Sequence, residues 1–134
     1  MGRRAHMYRK IGEEFIADDF AHEQSVVFET GKGLVIFNSC SHGGIVNIVR
    51  EVQMALGGQK VYAVVGGFHM MKLSGMDTLA IPEEEVVETA QELKGLGVEE
   101  IYTGHCTGNI AFGILKKELG EMVHALGTGE TVVF

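Results

Sequence analysis

The chain has 134 residues, a formal net charge of −7 at pH 7 and 46% hydrophobic residues. This length suits one domain with a buried core. The negative charge argues against a nucleic-acid partner, and apolar runs of about four to six residues are far shorter than the ~20 that a transmembrane helix needs. We therefore expect a globular protein that binds neither nucleic acid nor a membrane.

The first 17 residues are basic and polar, and we interpret residues 1–17 as an N-terminal tail before a domain over residues 18–134. The His6–Met7 junction is typical of a cloning site, which favours a vector-derived origin for residues 1–6. The segment lacks the apolar core of a secretory signal, so we expect a cytoplasmic location.

Two cysteines, Cys40 and Cys106, are too few for a disulfide scaffold. In a reducing cytosol they are expected to be free thiols or ligands, and packing residues at strand ends are the favoured interpretation.

The elements alternate along the chain. Two β-branched and aromatic runs, 25–30 and 34–38, flank a Gly-Lys-Gly turn and predict an antiparallel hairpin. Apolar residues at helical spacing follow over 44–56, and a continuously apolar strand follows over 60–65. The pattern of the first half is thus strand, strand, helix, strand.

The second half begins with a Met-rich segment, 70–81, which is predicted to be a long loop or lid. Pro82 followed by three glutamates marks the start of a helix that ends near Gly95 or Gly97. A strand over 100–103, a helix over 109–119 and two closing strands over 122–125 and 131–134 complete the pattern. The order ββαβαβαββ predicts an α/β fold, a mixed sheet with covering helices.

Three of the predicted strands lead into a glycine-flanked histidine: His42 in NSCSHGG, His69 in VVGGFHMM and His105 in YTGHCTG. Ligands and metals gather at the carboxyl ends of strands in open α/β sheets. Neutral imidazole is a good ligand for Zn, Mn or Fe. The three histidines therefore predict a site along one edge of the sheet.

Each histidine also has a structural interpretation. His42 fits a tight surface turn, and His69 fits a packing position between Phe68 and the Met-rich loop. Two helix starts carry unpaired N–H groups that suit a phosphate or another anion, and the residues concerned are Gly43, Gly44, Thr107, Gly108 and Asn109. The alternative at the second start is that Thr107 or Asn109 only caps the helix.

Other polar residues are weaker candidates. Asp18, Asp19 and Glu23 suit groups that support a metal site, although a charged run before a strand is usually a solvated loop. We assign no role to His22 or His124.

The three motifs, in this order, resemble the C-terminal half of metallo-β-lactamase-fold metallohydrolases. The resemblance runs from about Asp18 to Phe134 and is to the branch related to 7,8-dihydropterin-6-methyl-4-(β-D-ribofuranosyl)aminobenzene-5′-phosphate synthase. It implies a two-metal hydrolase with an αββα sandwich fold. The HxHxDH motif with which the family's site starts is absent from this sequence.

By similarity, His42 and His105 match metal-ligand positions of that family. At the junction where the superfamily often has a bridging aspartate, this chain has Gly67, Phe68 and His69, so His69 is the candidate catalytic residue. Contact with metal, polarisation of substrate and anion binding are all open roles for it. Because the resemblance leaves the ligand set incomplete, an isolated monomer is expected to bind metal weakly or not at all and to be inactive.

Two functions follow from these observations. One is the C-terminal part of a metal-dependent hydrolase, whose metal site is completed either by a missing N-terminal HxHxDH half or by a partner and which acts on an anionic small molecule. The other is a non-catalytic half-domain that homodimerises through its sheet face and binds an anion. Both predict association, because a broad apolar sheet face rarely stays exposed to water.

Overall fold

The computed structural model describes residues 7–134. The strands and helices are β1 (Tyr8–Ile11), β2 (Glu14–Ala17), β3 (Ser25–Thr30), β4 (Gly33–Asn38), α1 (Ile45–Ala55), β5 (Val61–Gly66), α2 (Glu83–Gly95), β6 (Glu100–Thr103), α3 (Asn109–Leu119) and β7 (Val123–Ala125). Short 3-10 turns cover His105–Thr107 and Gly120–Met122. None of the described helices is both long and apolar enough to cross a membrane.

The main sheet has five strands in the order β3-β4-β5-β6-β7. β3 and β4 pair antiparallel, and β4 to β7 pair parallel in sequence order. Each parallel connection passes through one helix, and right-handed crossovers in one direction along a sheet place their helices on the same face. The predicted mixed sheet with covering helices is confirmed.

The core lies between the sheet and the three helices. Side chains that alternate along the central strands, such as Leu34, Ile36 and Ile101, are fully buried on this face. They pack against the apolar stripes of the helices, including Val49 of α1 and Leu115 of α3. This burial explains why the 3.6-residue period predicted the helices well.

The opposite face of the sheet, which we call the open face, carries no helix from residues 7–134. It consists of Val26, Phe28, Phe37, Tyr62, Tyr102 and Phe134 around a small buried cluster of Val35, Ala63 and Val65. Val26 and Phe28 are each 56% exposed. An aromatic sheet face of this kind, in the part of the chain described, is typical of a surface that another layer covers.

The N-terminal segment differs from the predicted tail. β1 and β2 pair in register as a separate two-stranded hairpin, while residues 1–6 lie outside the described residues. Arg9 holds the hairpin to the following loop through an ion pair with Asp19, at 3.0 Å. An isolated hairpin is only marginally stable, and Phe15 on it is 70% exposed. The short alternation in this segment was too weak a signal to predict a hairpin.

The predicted closing strand over 131–134 is wrong, because those residues have no strand partner. The chain turns after β7, where the Gly127 N–H donates to the Glu130 carboxylate at 2.7 Å. It then packs the Phe134 ring edge-on against Phe37 and Tyr102, with ring centroids 6.0 and 5.6 Å apart. Burial of an aromatic ring on the open face replaces the expected pairing at the sheet edge.

Candidate functional site

The carboxyl ends of β4, β5 and β6 share an unusual backbone conformation. Ser41, His69 and His105 all lie in the left-handed region, with φ of 50°, 48° and 48°. Residues other than glycine hold this conformation at a cost of about 1–3 kcal/mol, and they cluster at functional sites. The three turns that the sequence singled out are therefore the strained turns of the sheet edge.

His42 is held by a carboxylate from the loop before β3. Glu23 accepts the backbone N–H of His42 at 2.7 Å and that of Gly43 at 2.9 Å. The same carboxylate lies 3.4 Å from Nδ1 of His42, and its side chain is only 10% exposed. Phe20 stacks on the imidazole with ring centroids 5.8 Å apart. A carboxylate and an aromatic ring thus orient His42 in the way that carboxylates orient metal-binding histidines.

His69 is the neighbour of His42 at this edge. The two imidazole centroids are 4.5 Å apart with the rings inclined at 70°. The backbone N–H of His69 donates to Sγ of Cys106 at 3.2 Å. The structure therefore brings the first two predicted histidines into one site, although they are 27 positions apart in the sequence.

His105 lies in a different group of donors. Its imidazole, the Cys40 thiol and the Cys106 thiol each offer a ligand atom, and all three atoms lie within 4.8 Å of one another. We call these residues the Cys-His cluster. Within residues 7–134, this cluster is the one place where three or more His, Cys, Asp or Glu side chains lie close enough together to hold a metal ion.

The two thiols meet across β5, which separates β4 from β6. Gly67 makes this possible, since a Cβ at that position would stand 2.5 Å from Sγ of Cys106. Cys106 is buried, and its Sγ lies 3.7 Å from the carbonyl oxygen of Cys40. Burial raises the pKa of the Cys106 thiol from 9.0 to about 11, although the N–H bond from His69 opposes the shift.

Backbone bonds lock the turns after β5 and β6 together. The Phe68 N–H donates to Oγ1 of Thr107 at 2.9 Å, and the Met70 N–H donates to the Cys106 carbonyl at 2.8 Å. Thr103 donates to the Gly66 carbonyl at 2.7 Å. The cluster is therefore carried on a rigid part of the sheet edge.

The N–H groups predicted to bind an anion have partners within the chain. Those of Gly44, Thr107, Gly108 and Asn109 donate to backbone carbonyls. The N–H of Gly43 donates to the Glu23 carboxylate, so an internal anion already occupies the start of α1. Anion binding at these residues stays a prediction, and an external anion would have to displace these bonds.

The remaining polar candidates have local partners. Oδ1 of Asp18 accepts the Phe20 N–H at 2.8 Å and orders the loop that carries Glu23. His124, which has no role predicted from the sequence, lies 2.6 Å from the Glu100 carboxylate and stacks on Tyr102. Neither contact involves His42, His69 or His105.

A cleft of about 560 Å³ lies between α1 and the loop that carries Glu23. Its lining includes the carboxylates of Asp19, Glu23 and Glu51. The three strand-end histidines are not part of this lining. Glu23 therefore separates the cleft from His42.

Replacement of Glu23 by glutamine is expected to lower the free energy of unfolding by about 1–3 kcal/mol, because the negative charge and one of two acceptor oxygens are lost and the amide NH2 then faces a part-buried N–H donor. Urea denaturation measures the change, and the His42 ring resonances should shift in the same variant. Glu88→Gln, at an exposed position of α2, is the matched control and should change stability by less than about 0.5 kcal/mol. Equal stability of Glu23→Gln and wild type would contradict the role assigned to this carboxylate.

Glu23 and the two thiols contribute more to the site than the sequence predicts, which favours a solvated loop for Glu23 and packing positions for Cys40 and Cys106. The signal for Glu23 was its position two residues before β3, and the signal for the thiols was their place beside His42 and His105 in the motifs. Both depend on contacts between distant segments, which residue spacing alone does not reveal.

Comparison with known proteins identifies the fold. The crystal structure of Tm1679, a metal-dependent hydrolase of the β-lactamase superfamily, matches 95% of this chain with a TM-score of 0.82 and 30% sequence identity. The chain has part of a metallo-β-lactamase fold. It covers 46% of the Tm1679 chain. No family model matches the sequence.

A curated relative agrees with this identification. The 7,8-dihydropterin-6-methyl-4-(β-D-ribofuranosyl)aminobenzene-5′-phosphate synthase of Methanocaldococcus jannaschii is 36% identical over 128 residues, which are 96% of this chain. The chain spans 41% of that protein's length. The chain, with part of a metallo-β-lactamase fold, thus matches less than half of each of the two relatives.

The donor types at the sheet edge fit a metal ion, since imidazole and thiolate both bind divalent metals. These donors fall into two groups, however, because the Cys-His cluster contains His105 but not His42. His42 instead has Glu23 and His69 as its neighbours. Within the described residues, His42 and His105 therefore do not form a complete ligand set by themselves.

Proposed function

We propose that this chain is the C-terminal part of a metal-dependent hydrolase of the metallo-β-lactamase superfamily. An N-terminal half with an HxHxDH motif would complete the metal site, to which His42 and His105 contribute ligands. The observation that carries the proposal is the match of nearly the whole chain to less than half of a superfamily hydrolase. We place the protein in the cytoplasm as part of the same proposal.

The open face supports the need for a second half. Its aromatic side chains form one layer of what would be a sandwich core, and Phe28 is left 56% exposed on it. The β1–β2 hairpin also exposes Phe15, which a partner could bury. Burial of apolar surface at about 25 cal/mol per Å² would drive such an association.

The site would perform hydrolysis through the following roles. A divalent ion, Zn, Mn or Fe, supplies an activated water and polarises the substrate when it is bound. Glu23 and Phe20 hold the His42 ring in one orientation. His69, whose ring centroid is 4.5 Å from that of His42, is the catalytic candidate that would touch the substrate or transfer a proton.

The proposed substrate is an anionic small molecule. The related synthase has a phosphorylated product in its name. A metal site with nearby imidazoles suits a phosphate ester, because both stabilise negative charge that develops in the reaction. The backbone N–H groups after β4 and β6 already donate to acceptors within the chain. The metal and the histidines, rather than the helix starts, would therefore bind the negative charge of the substrate.

A second candidate is a non-catalytic homodimer that binds an anion. The specific observation that favours it is the same open face, on which Phe134 of the chain already packs. Two copies related by a two-fold axis would bury both faces against each other. This candidate predicts dimers in the absence of any other polypeptide.

Two measurements separate these candidates. Sedimentation of the chain alone at micromolar concentration reports dimerisation. Co-expression with the part of Tm1679 that the match leaves uncovered, followed by phosphodiester hydrolysis assays with Mn²⁺ or Zn²⁺, tests completion of the site. A one-to-one complex whose activity is lost in His42→Ala supports the hydrolase. A stable dimer that takes up no second half and stays inactive overturns it in favour of the homodimer.

A further inference from the structure

The Cys-His cluster combines donors from two junctions that are far apart in the sequence. Cys40 follows β4, while His105 and Cys106 follow β6. Their three ligand atoms lie within 4.8 Å of one another. Ligand atoms around a tetrahedral zinc ion stand about 3.5–4 Å apart, so an adjustment of about 1 Å would bring them into coordination.

The adjustment falls on the side chains that have room to move. His105 is exposed and Cys40 is half-buried, so their side chains can turn toward an ion. Cys106 is buried and is held by the N–H of His69 and by the space that Gly67 leaves. One fixed thiol and two adaptable donors make a site that needs little reorganisation of the backbone.

The donor chemistry selects the kind of ion. Two thiolates and one imidazole suit zinc and other thiophilic metals rather than Mg²⁺ or Ca²⁺, which prefer oxygen. Three protein ligands leave one position of a tetrahedron open, as in catalytic zinc sites of the Cys₂His type. His105 is exposed, so water could reach an ion bound by these three residues.

We propose that the chain by itself binds one thiophilic divalent ion at Cys40, His105 and Cys106. The ion displaces two thiol protons and leaves one exchangeable position for water or an added thiol. The site shares His105 with the proposed hydrolase centre, but it needs neither His42 nor a second polypeptide, so it can be tested on the chain alone. It also differs from the sequence-based expectation that the isolated chain binds metal weakly or not at all.

Cobalt titration tests the site directly. The chain is reduced, freed of metal and titrated with Co²⁺ while the thiolate-to-cobalt charge-transfer band in the near ultraviolet is recorded. We expect one equivalent per chain, a visible band typical of tetrahedral cobalt, and displacement by Zn²⁺. Absence of the charge-transfer band in reduced, folded protein overturns the proposal.

Variants locate the ligands. Cys40→Ser should roughly halve the charge-transfer intensity and weaken Zn²⁺ binding at least tenfold, and Cys106→Ser should do the same if circular dichroism shows it folded. His105→Gln should weaken binding at least tenfold while both thiolate bonds stay visible. His22→Gln, at a histidine whose side chain is 63% exposed and that belongs to neither group of proposed ligands, is the matched control and should bind as wild type does. His42→Gln then tests whether the band depends on His42. A band that survives Cys40→Ser unchanged, or that requires His42, overturns the assignment.

The test is independent of the proposed hydrolase. Metal binding by the chain alone says nothing about association with a second half, which sedimentation and co-expression measure. Absence of the cobalt band would therefore contradict only the proposed Cys-His site. Failure of the second half to restore activity would contradict only the proposed hydrolase.

Discussion

Replacement of Gly66 by alanine is expected to destabilise the protein by about 3 kcal/mol or more. Gly66 ends β5 with φ of 144°, a conformation that L side chains rarely adopt. A Cβ there would also overlap the carbonyl oxygen of Asn38, at the end of the neighbouring strand β4. The clash involves backbone on both sides, so it cannot be relieved by rotation of a side chain.

The same substitution should disturb the candidate site, because Gly66 lies next to the turn that carries His69. Its carbonyl accepts the Thr103 hydroxyl at 2.7 Å, which links the ends of β5 and β6. Urea denaturation measures the loss of stability, and the His42 and His69 ring resonances report the site.

Gly113→Ala is the matched control for this prediction. Gly113 lies in α3, and a Cβ there would meet nothing within 4 Å. Alanine is favoured over glycine inside a helix by about 0.5–1 kcal/mol, so this variant should be slightly more stable than wild type. If Gly66→Ala had wild-type stability, the close approach of β4 and β5 described above would be wrong.

Replacement of Phe28 by aspartate is expected to weaken association through the open face at least about a hundredfold, which corresponds to about 2.8 kcal/mol. Phe28 is 56% exposed on edge strand β3 and contacts Phe37 edge-on at 5.6 Å. A carboxylate buried in an apolar interface would lose its hydration without gaining a partner. Sedimentation equilibrium, alone and with the second half, measures the effect on both proposed assemblies.

Ile110→Asp controls for the added charge. Ile110 is 42% exposed, but it lies in α3, on the helix-covered side of the sheet. It should leave association unchanged. Equal weakening by both variants would show that net charge, rather than burial of the open face, controls association, and unchanged association in Phe28→Asp would exclude the open face as the interface.

Most of the regular elements follow from local sequence. The strand over Ser25–Thr30 and the helix over Asn109–Leu119 have the predicted bounds. The run of β-branched and aromatic residues marks the strand, and the 3.6-residue apolar period of the helix matches a face that is buried in the fold. Pro82 and three glutamates also marked the start of α2. Here local preference and tertiary burial agree.

The elements near the ends of the chain were harder to predict. The side chains of the β1–β2 hairpin are exposed almost throughout, so no clear alternation of apolar and polar residues marks its strands in the sequence. The β-branched run before Phe134 looks like a strand locally, but the ring contacts with Phe37 and Tyr102 place it across the open face. Contacts with distant residues therefore decide the position of the C-terminal run, whereas the exposed hairpin buries too little to leave a signal in the sequence.

The sequence by itself determined that His42, His69 and His105 each follow a strand, because each strand is apolar and each turn is marked by glycine. Only the tertiary structure decided how they are grouped, with His42 beside His69 and His105 beside two thiols. Cys106 and Cys40 are 66 positions apart, and they meet because Gly67 has no side chain between them. Spacing along the chain carries local geometry, whereas the approach of side chains across a strand depends on the packed sheet.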